Sequence, residues 1–252
     1  MILAVSDWHL GYKRCNLDAI VDFLNHYQNT EVDHFILLGD IYDFWRRNNA
    51  DLIKENDEIM AKLNDLKAKN IYYVAGNHDY YILDLNKKYN HEYEGIISKY
   101  LRLEDGGESF FFIHGYEMEA ILWEFPASLQ MYEQFSKEMC YNKDETGGFL
   151  SKIWDINQYF GKKRRFVNDM NKLPHKREIE KVDEFALTTG KYALLGMKPH
   201  ETLIFGHTHR PFINEAKKVA NTGSWIDELP KNEQNSYIEI DEGKMELKYF
   251  KH

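Results

Sequence analysis

The chain has 252 residues, 43% hydrophobic and 29% charged, a globular composition that excludes a disordered polymer and allows a proper core. Its net charge of −9 argues against a broadly basic nucleic-acid or anionic-membrane binder, while leaving room for a local phosphate site. Two cysteines, Cys15 and Cys140, form no CxxC pair, which disfavours disulfide or thiolate-metal chemistry and fits a reducing cytoplasm.

No apolar run approaches the roughly 20 residues of a membrane span, and no signal-peptide pattern opens the chain. Instead, short apolar runs recur with polar tips. Ile2–Ser6 meets Asp7-Trp8-His9, and Phe35–Leu38 meets Gly39-Asp40. Ile71–Ala75 meets Gly76-Asn77-His78-Asp79, Phe110–Ile113 meets His114-Gly115, and Thr202–Phe205 meets Gly206-His207-Thr208-His209. Runs of this length and composition read as buried strands. Asn16–Tyr27 and Asp51–Lys69 carry apolar residues at helical spacing. Strand–helix alternation predicts an α/β fold with parallel strands, whose ligands bind beyond the carboxyl ends of the strands.

Tyr116–Cys140, Leu150–Leu173 and Arg177–Leu195 read as helices, with Pro174 breaking the second. They predict a helical cap inserted at about 116–198 of one domain spanning 1–252. Beyond Gly206, Pro211–Glu215, Lys218–Ala220, Ser236–Ile240 and Lys244–Phe250 read as an antiparallel meander in a second sheet. Residues 115–200 hold 13 basic and 13 acidic side chains, so the acidic excess lies elsewhere. Within 162–177, Lys162, Lys163, Arg164, Arg165, Lys172, Lys176 and Arg177 face Asp169 alone, a local +6. That run is either a solvated helix face or a lid over a phosphorylated substrate.

His9, His78, His114, His207 and His209 coincide with Asp7, Asp40 and Asn77 at the strand tips. Imidazole and carboxylate donors without thiolate suit manganese, iron or zinc. A pair of ions would need a bridging carboxylate, and Asp40 is central in the set. The five blocks resemble, in order, those of the calcineurin-like metallophosphoesterases. The resemblance implies two mixed sheets sandwiched between helices in four layers, with a two-metal site at the strand ends. It implies one ion on Asp7, His9, Asp40 and His209, and a second on Asp40, Asn77, His114 and His207. A hydroxide activated by the two metals would attack phosphorus, with His78 beside the leaving-group oxygen. The ions would be Mn²⁺, with Fe, Zn or Ni as alternatives.

Other roles follow around this set. Asp79 either orients His78 or caps the next helix, and Asp43 either buttresses a ligand or makes an ordinary surface hydrogen bond. Arg210 either reaches a substrate phosphate, as Arg164, Arg165 and Arg177 would from a lid, or makes an ordinary surface hydrogen bond. Asn221, in Asn221-Thr222-Gly223-Ser224, matches a supporting turn beneath the metals. Trp123, Tyr132, Trp154 and Tyr159 read as core of the insertion. Asp40-Ile41-Tyr42-Asp43-Phe44-Trp45, the ending His207-Thr208-His209-Arg210-Pro211 and the cap resemble the UDP-2,3-diacylglucosamine pyrophosphatase branch. That branch implies a phosphorylated nucleotide-sugar or lipid-precursor substrate and a cytoplasmic protein, peripheral at the membrane if the substrate is a lipid. Tyr116 stands where the branch usually has Asp, and His78 where many of its members have Arg. The alternative is a DNA nuclease of the Mre11 type, suggested by Asp7-Trp8-His9-Leu10-Gly11-Tyr12. A non-catalytic scaffold requires lost ligands, and all the motif positions are present here.

Overall fold

A computed structural model describes residues 1–88, 96–122, 129–141 and 174–251. The first sheet has the order β11-β10-β1-β2-β3-β4. Its strands are β1 (Ile2–Val5), β2 (Val32–Leu38), β3 (Ala68–Val74), β4 (Ile96–Ser98), β10 (Ser236–Asp241) and β11 (Lys244–Tyr249). The second sheet has the order β5-β6-β7-β9-β8. It comprises β5 (Tyr100–Asp105), β6 (Glu108–Ile113), β7 (Thr202–Phe205), β8 (Phe212–Asn214) and β9 (Val219–Asn221). β1 to β4 run parallel, as do β6, β7 and β9, while β5, β8, β10 and β11 pair antiparallel, so both sheets are mixed.

Strand periodicity explains the layers. Ile2 and Ala4 of β1 pack with Ile36, Leu38, Phe110, Phe112 and Ile204 in a core between the sheets. Their neighbours Leu3 and Val5 point the opposite way, onto Ile20, Phe23 and Leu24 of α1 (Leu17–Tyr27). On the far side, Phe111, Ile113, Leu203 and Phe205 pack against Met118, Val182 and Ala186. Those three residues lie on α5 (Tyr116–Leu122) and on α7 (Pro174–Ala186). Both faces of each sheet are therefore covered, which is why the strands read as unbroken apolar runs rather than alternating ones.

Several boundaries differ from the sequence reading. The helix expected over Asp51–Lys69 divides into α2 (Asn49–Glu55) and α3 (Asp57–Asn64), and Lys69 belongs to β3. The break falls at Asn56, whose side-chain amide donates to Leu52 O at 2.8 Å and so competes with the helical ladder. α4 (Ile82–Lys88), β4 and β5 were not anticipated. Tyr116–Cys140 yields α5 and α6 (Leu129–Tyr141), with 123–128 outside the described residues. Leu150–Leu173 lies outside them too. The third expected helix begins earlier, at Pro174, a favoured first helical position, and divides into α7 and α8 (Gly190–Leu194).

The C-terminal strands are shared between the sheets rather than kept in the second. β8 and β9 join β7, but β10 and β11 join β1. The β10–β11 hairpin turns at Glu242 and Gly243, with φ of 48° and 79°. Two successive positive φ angles give the turn whose twist matches its strands, and glycine takes the second without strain.

Candidate metal centre

The strand tips converge through unusual backbone. Asp7, His9, Asp40, His207 and His209 all have positive φ, between 48° and 67°. Each such conformation costs of order 1–3 kcal/mol in a non-glycine residue, and such residues cluster at functional sites. Tertiary hydrogen bonds hold them. Asp7 N donates to Gly39 O at 3.0 Å, His9 N to Asp40 O at 2.9 Å, and Trp225 N to Asp7 O at 3.1 Å.

The two aspartates are divided in the same way. Asp7 Oδ2 accepts from Ser6 Oγ and, at 3.0 Å, from His207 N, while Oδ1 lies 3.3 Å from His209 Nε2 and 3.8 Å from His9 Nε2. Asp40 Oδ1 accepts from His78 N at 2.8 Å, while Oδ2 lies 3.2 Å from His114 Nε2 and 3.8 Å from His9 Nε2. One oxygen of each carboxylate is thus spent on the frame and the other faces the imidazoles.

Asp7 Oδ1, Asn77 Oδ1 and His114 Nε2 are buried without a satisfied hydrogen bond. Buried polar atoms almost always find partners, so this trio marks a place built for another group. Asp7, His9 and His209 bring ligand atoms within 4.8 Å of one another, as do Asp40, His114 and His207. Nitrogen and carboxylate oxygen donors of this kind fit a divalent transition metal. A further group of the same compactness, His9, Asp43 and His78, adjoins them, but Arg46 already forms an ion pair with Asp43.

The electrostatics follow from the convergence. Burial opposes charge on His114, yet Asp40 and Asp7 overcome it and raise the ring to about 10. His209 is raised to about 9 against the same opposition, by Asp7 and Glu228. Burial pushes the other way on the acids, but the rings of His114 and His209 hold Asp7 below the usual carboxylate range. His114 and His78 hold Asp40 well below it.

His78 lies beside this centre. Its Nδ1 is 3.0 Å from Asp43 Oδ1, and its ring stacks on Trp45. Asp43 also lies 3.4 Å from His9 Nδ1, so it braces two histidines. Burial opposes its charge, yet His78 and His9 keep its carboxyl far below normal. Asp79 has other partners than the His78 ring. It accepts from Gly76 N at 2.7 Å, Ile41 N at 2.7 Å and Tyr73 Oη at 2.6 Å, tying together the Asp40 and Asn77 loops. Burial, then the charge of Asp40, pushes its carboxyl up to about 6.

Asn221 supports the last block, its amide donating to Gly206 O at 2.8 Å and Thr208 Oγ1 at 3.0 Å. Arg210 lies 3.4 Å from Asp183 of α7, which also accepts from Thr208 Oγ1 at 2.8 Å. Tyr132 is buried, as expected of core. Arg164, Arg165 and the side chain of Arg177 lie outside the described residues, as do Trp123, Trp154 and Tyr159.

Two carboxylates were missed. Glu119 Oε2 sits 2.9 Å from His207 Nε2, and Glu228 Oε2 sits 3.8 Å from His209 Nδ1. His209 is also the main reason why the Glu228 carboxyl is lowered to about 2. Glu119 falls five residues after His114, on the first turn of α5, a spacing that offered a weak signal. Glu228 offered none.

Residues 1–211 match the sequence profile of the calcineurin-like phosphoesterases. The chain is also 24% identical to a UDP-2,3-diacylglucosamine hydrolase from Psychromonas ingrahamii, over 97% of this chain and 95% of that protein. Among solved structures, a dimetal phosphatase from Danio rerio superposes with a TM-score of 0.51 at 12% identity, covering 98% of this chain and 94% of the other. That likeness is one of fold.

Proposed function

The chain belongs to the calcineurin-like phosphoesterase family, a metal-dependent phosphoester hydrolase, and from that premise we propose that it cleaves a phosphodiester or pyrophosphate bond at a two-metal centre. The substrate we favour is a nucleotide sugar or lipid precursor. The observation that carries the reading is the set of unsatisfied buried atoms Asp7 Oδ1, Asn77 Oδ1 and His114 Nε2 on residues at the strand ends, the first and last of them 4.0 Å apart.

Asp7, His9, Asp40 and His209 would hold one ion, and Asp40, Asn77, His114 and His207 the other, with Mn²⁺ the expected metal. Bound there, two divalent ions would supply Lewis-acid charge and lower the pKa of water to near neutrality. Asp7 and Asp40 would bring two negative charges against four positive ones, so the loaded centre would attract phosphate although the chain is acidic overall. His78 is the proton donor to the departing oxygen, and Asp43 and Trp45 fix its ring.

Support for the substrate class comes from the relative's activity and its near full-length match, and from the +6 charge of 162–177. We take 1–252 as one catalytic domain, with a cap at about 116–198 whose Arg164, Arg165 and Arg177 contact substrate phosphate together with Arg210. No helix among the described residues is long and apolar enough to cross a membrane. A cytoplasmic enzyme, peripheral at the membrane when its substrate is a lipid, is the location this reading implies.

The test is a manganese-supplemented screen of phosphomonoesters, diesters, nucleoside-diphosphate sugars and single-stranded DNA. Preferential cleavage of a nucleoside-diphosphate sugar supports the proposal. Cleavage of DNA alone overturns the substrate, and no hydrolysis of any class overturns the activity.

A further inference from the structure

We propose that Glu119 is a positioning residue that sets which nitrogen of His207 binds the second ion, an inference that rests on the two-metal reading above. A neutral imidazole carries one N–H and one lone pair. The Glu119 carboxylate, 2.9 Å from His207 Nε2, takes the N–H there and leaves the lone pair on Nδ1. The neighbouring ring is set in the opposite sense. His114 Nδ1 meets the Leu38 carbonyl at 2.9 Å, which leaves Nε2 facing Asp40. Two histidines of one group are therefore fixed through opposite nitrogens, one by a backbone carbonyl and the other by a carboxylate.

Glu119 is itself held in place. Tyr132 Oη donates to the same Oε2 at 3.0 Å. Tyr132 is buried on α6, and its ring stacks on Tyr116 with centroids 5.7 Å apart and planes 3° from parallel. The pocket of Asp40, His114 and His207 thus depends on two helices outside the sheets. Carboxylates in this position orient a ligating histidine and raise its basicity, and their loss costs roughly 10–100-fold in metal affinity.

The experiment uses the full chain, stripped with a chelator and titrated with Mn²⁺ by calorimetry, in wild type, Glu119→Ala, Glu119→Gln and Tyr132→Phe. Wild type should show two binding steps. Glu119→Ala should weaken one step by roughly 10–100-fold, leave the other unchanged, and melt no lower, metal-free, than Tyr132→Phe. Glu119→Gln should fall between, because the amide oxygen still accepts the Nε2 proton. Nitrogen NMR of the zinc-loaded protein should find the His207 proton on Nε2. Two unchanged steps in Glu119→Ala, both steps weakened together with a lower melting point, or a proton on Nδ1 would each overturn the role. Fewer than two ions in wild type would instead overturn the two-metal reading beneath it.

Discussion

The indole of Trp45 lies flat on the imidazole of His78, with ring centroids 4.2 Å apart and planes 18° from parallel. Asp43 meets the same imidazole in the ring plane, through Nδ1 at 3.0 Å. One contact fixes the plane of the ring and the other its rotation, and with Nδ1 engaged by Asp43 the proposed proton transfer falls to Nε2. His78→Ala should keep the metals and lose roughly 10²–10⁴-fold in turnover, the scale of general acid catalysis. Trp45→Ala and Asp43→Asn should fall in the same direction by less. The check is kcat on diesters with good and poor leaving groups. An effect of equal size on both would remove the proton-donor role.

Asp40 reaches histidines assigned to both ions, His9 of the first and His114 of the second. Its Oδ1 anchors the His78 loop, and its Oδ2 faces both His9 and His114. Asp40→Ala should therefore empty both metal positions, whereas Asn77→Ala should weaken only one. Elemental analysis of the purified variants decides this. Two ions retained in Asp40→Ala would refute the bridging assignment.

Much of this site was legible because the signal is local. A buried strand followed by Asp, Asn or His is a short pattern, and Asp7, Asp40, Asn77, His114, His207 and His209 each sit at such an end. What stayed hidden depends on packing between distant segments. Glu119 meets His207 across 88 residues. Asp43 rather than Asp79 took the His78 ring because the loop backbone turns Asp79 toward Ile41, Gly76 and Tyr73. β4 and β5 lie at sheet edges, where exposure on one side breaks the apolar run that marked the inner strands. β10 reads like any meander strand, and only its pairing with β1 reveals its sheet.

Close approach makes Gly76 irreplaceable. A Cβ there would lie 2.2 Å from Asp40 Oδ1 and 2.4 Å from Asp40 N. Gly76→Ala must push the Asp40 loop aside, at a cost of about 1–3 kcal/mol if the fold accommodates it. Gly107→Ala is the matched control. Its Cβ meets nothing within 4 Å, but its φ of +83° strains alanine by roughly 1–2 kcal/mol. Both variants should melt below wild type, while only Gly76→Ala loses metal and activity. Full activity in Gly76→Ala would show that the Asp40 position tolerates displacement.

If the basic segment is a lid, its charge should matter to large substrates only. Neutralising Arg164, Arg165 and Arg177 together should raise KM for a nucleoside-diphosphate sugar more than for a small chromogenic diester. Steady-state kinetics on both substrates tests this, and equal changes would remove the lid role.

With His114 and His209 as the proposed metal ligands, proton and metal would compete for the same nitrogens, which predicts a pH dependence. In the metal-free protein, burial disfavours the charged rings of His114 and His209, yet the neighbouring carboxylates raise them to about 10 and about 9. The unfolded value is about 6.5. A raised histidine stabilises the fold fully below the unfolded value, and that contribution is lost as pH climbs through the folded one. Metal-free protein should therefore lose stability from about pH 6.5 toward pH 10. A metal needs the rings deprotonated, so its affinity should rise over the same window, with roughly two protons released per site pair at pH 7. Melting curves with and without a chelator should separate increasingly as pH rises, and calorimetry in buffers of different ionisation enthalpy should count the protons. A gap that narrows with rising pH, or binding without proton release, would mean that His114 and His209 are not the groups the metal displaces protons from.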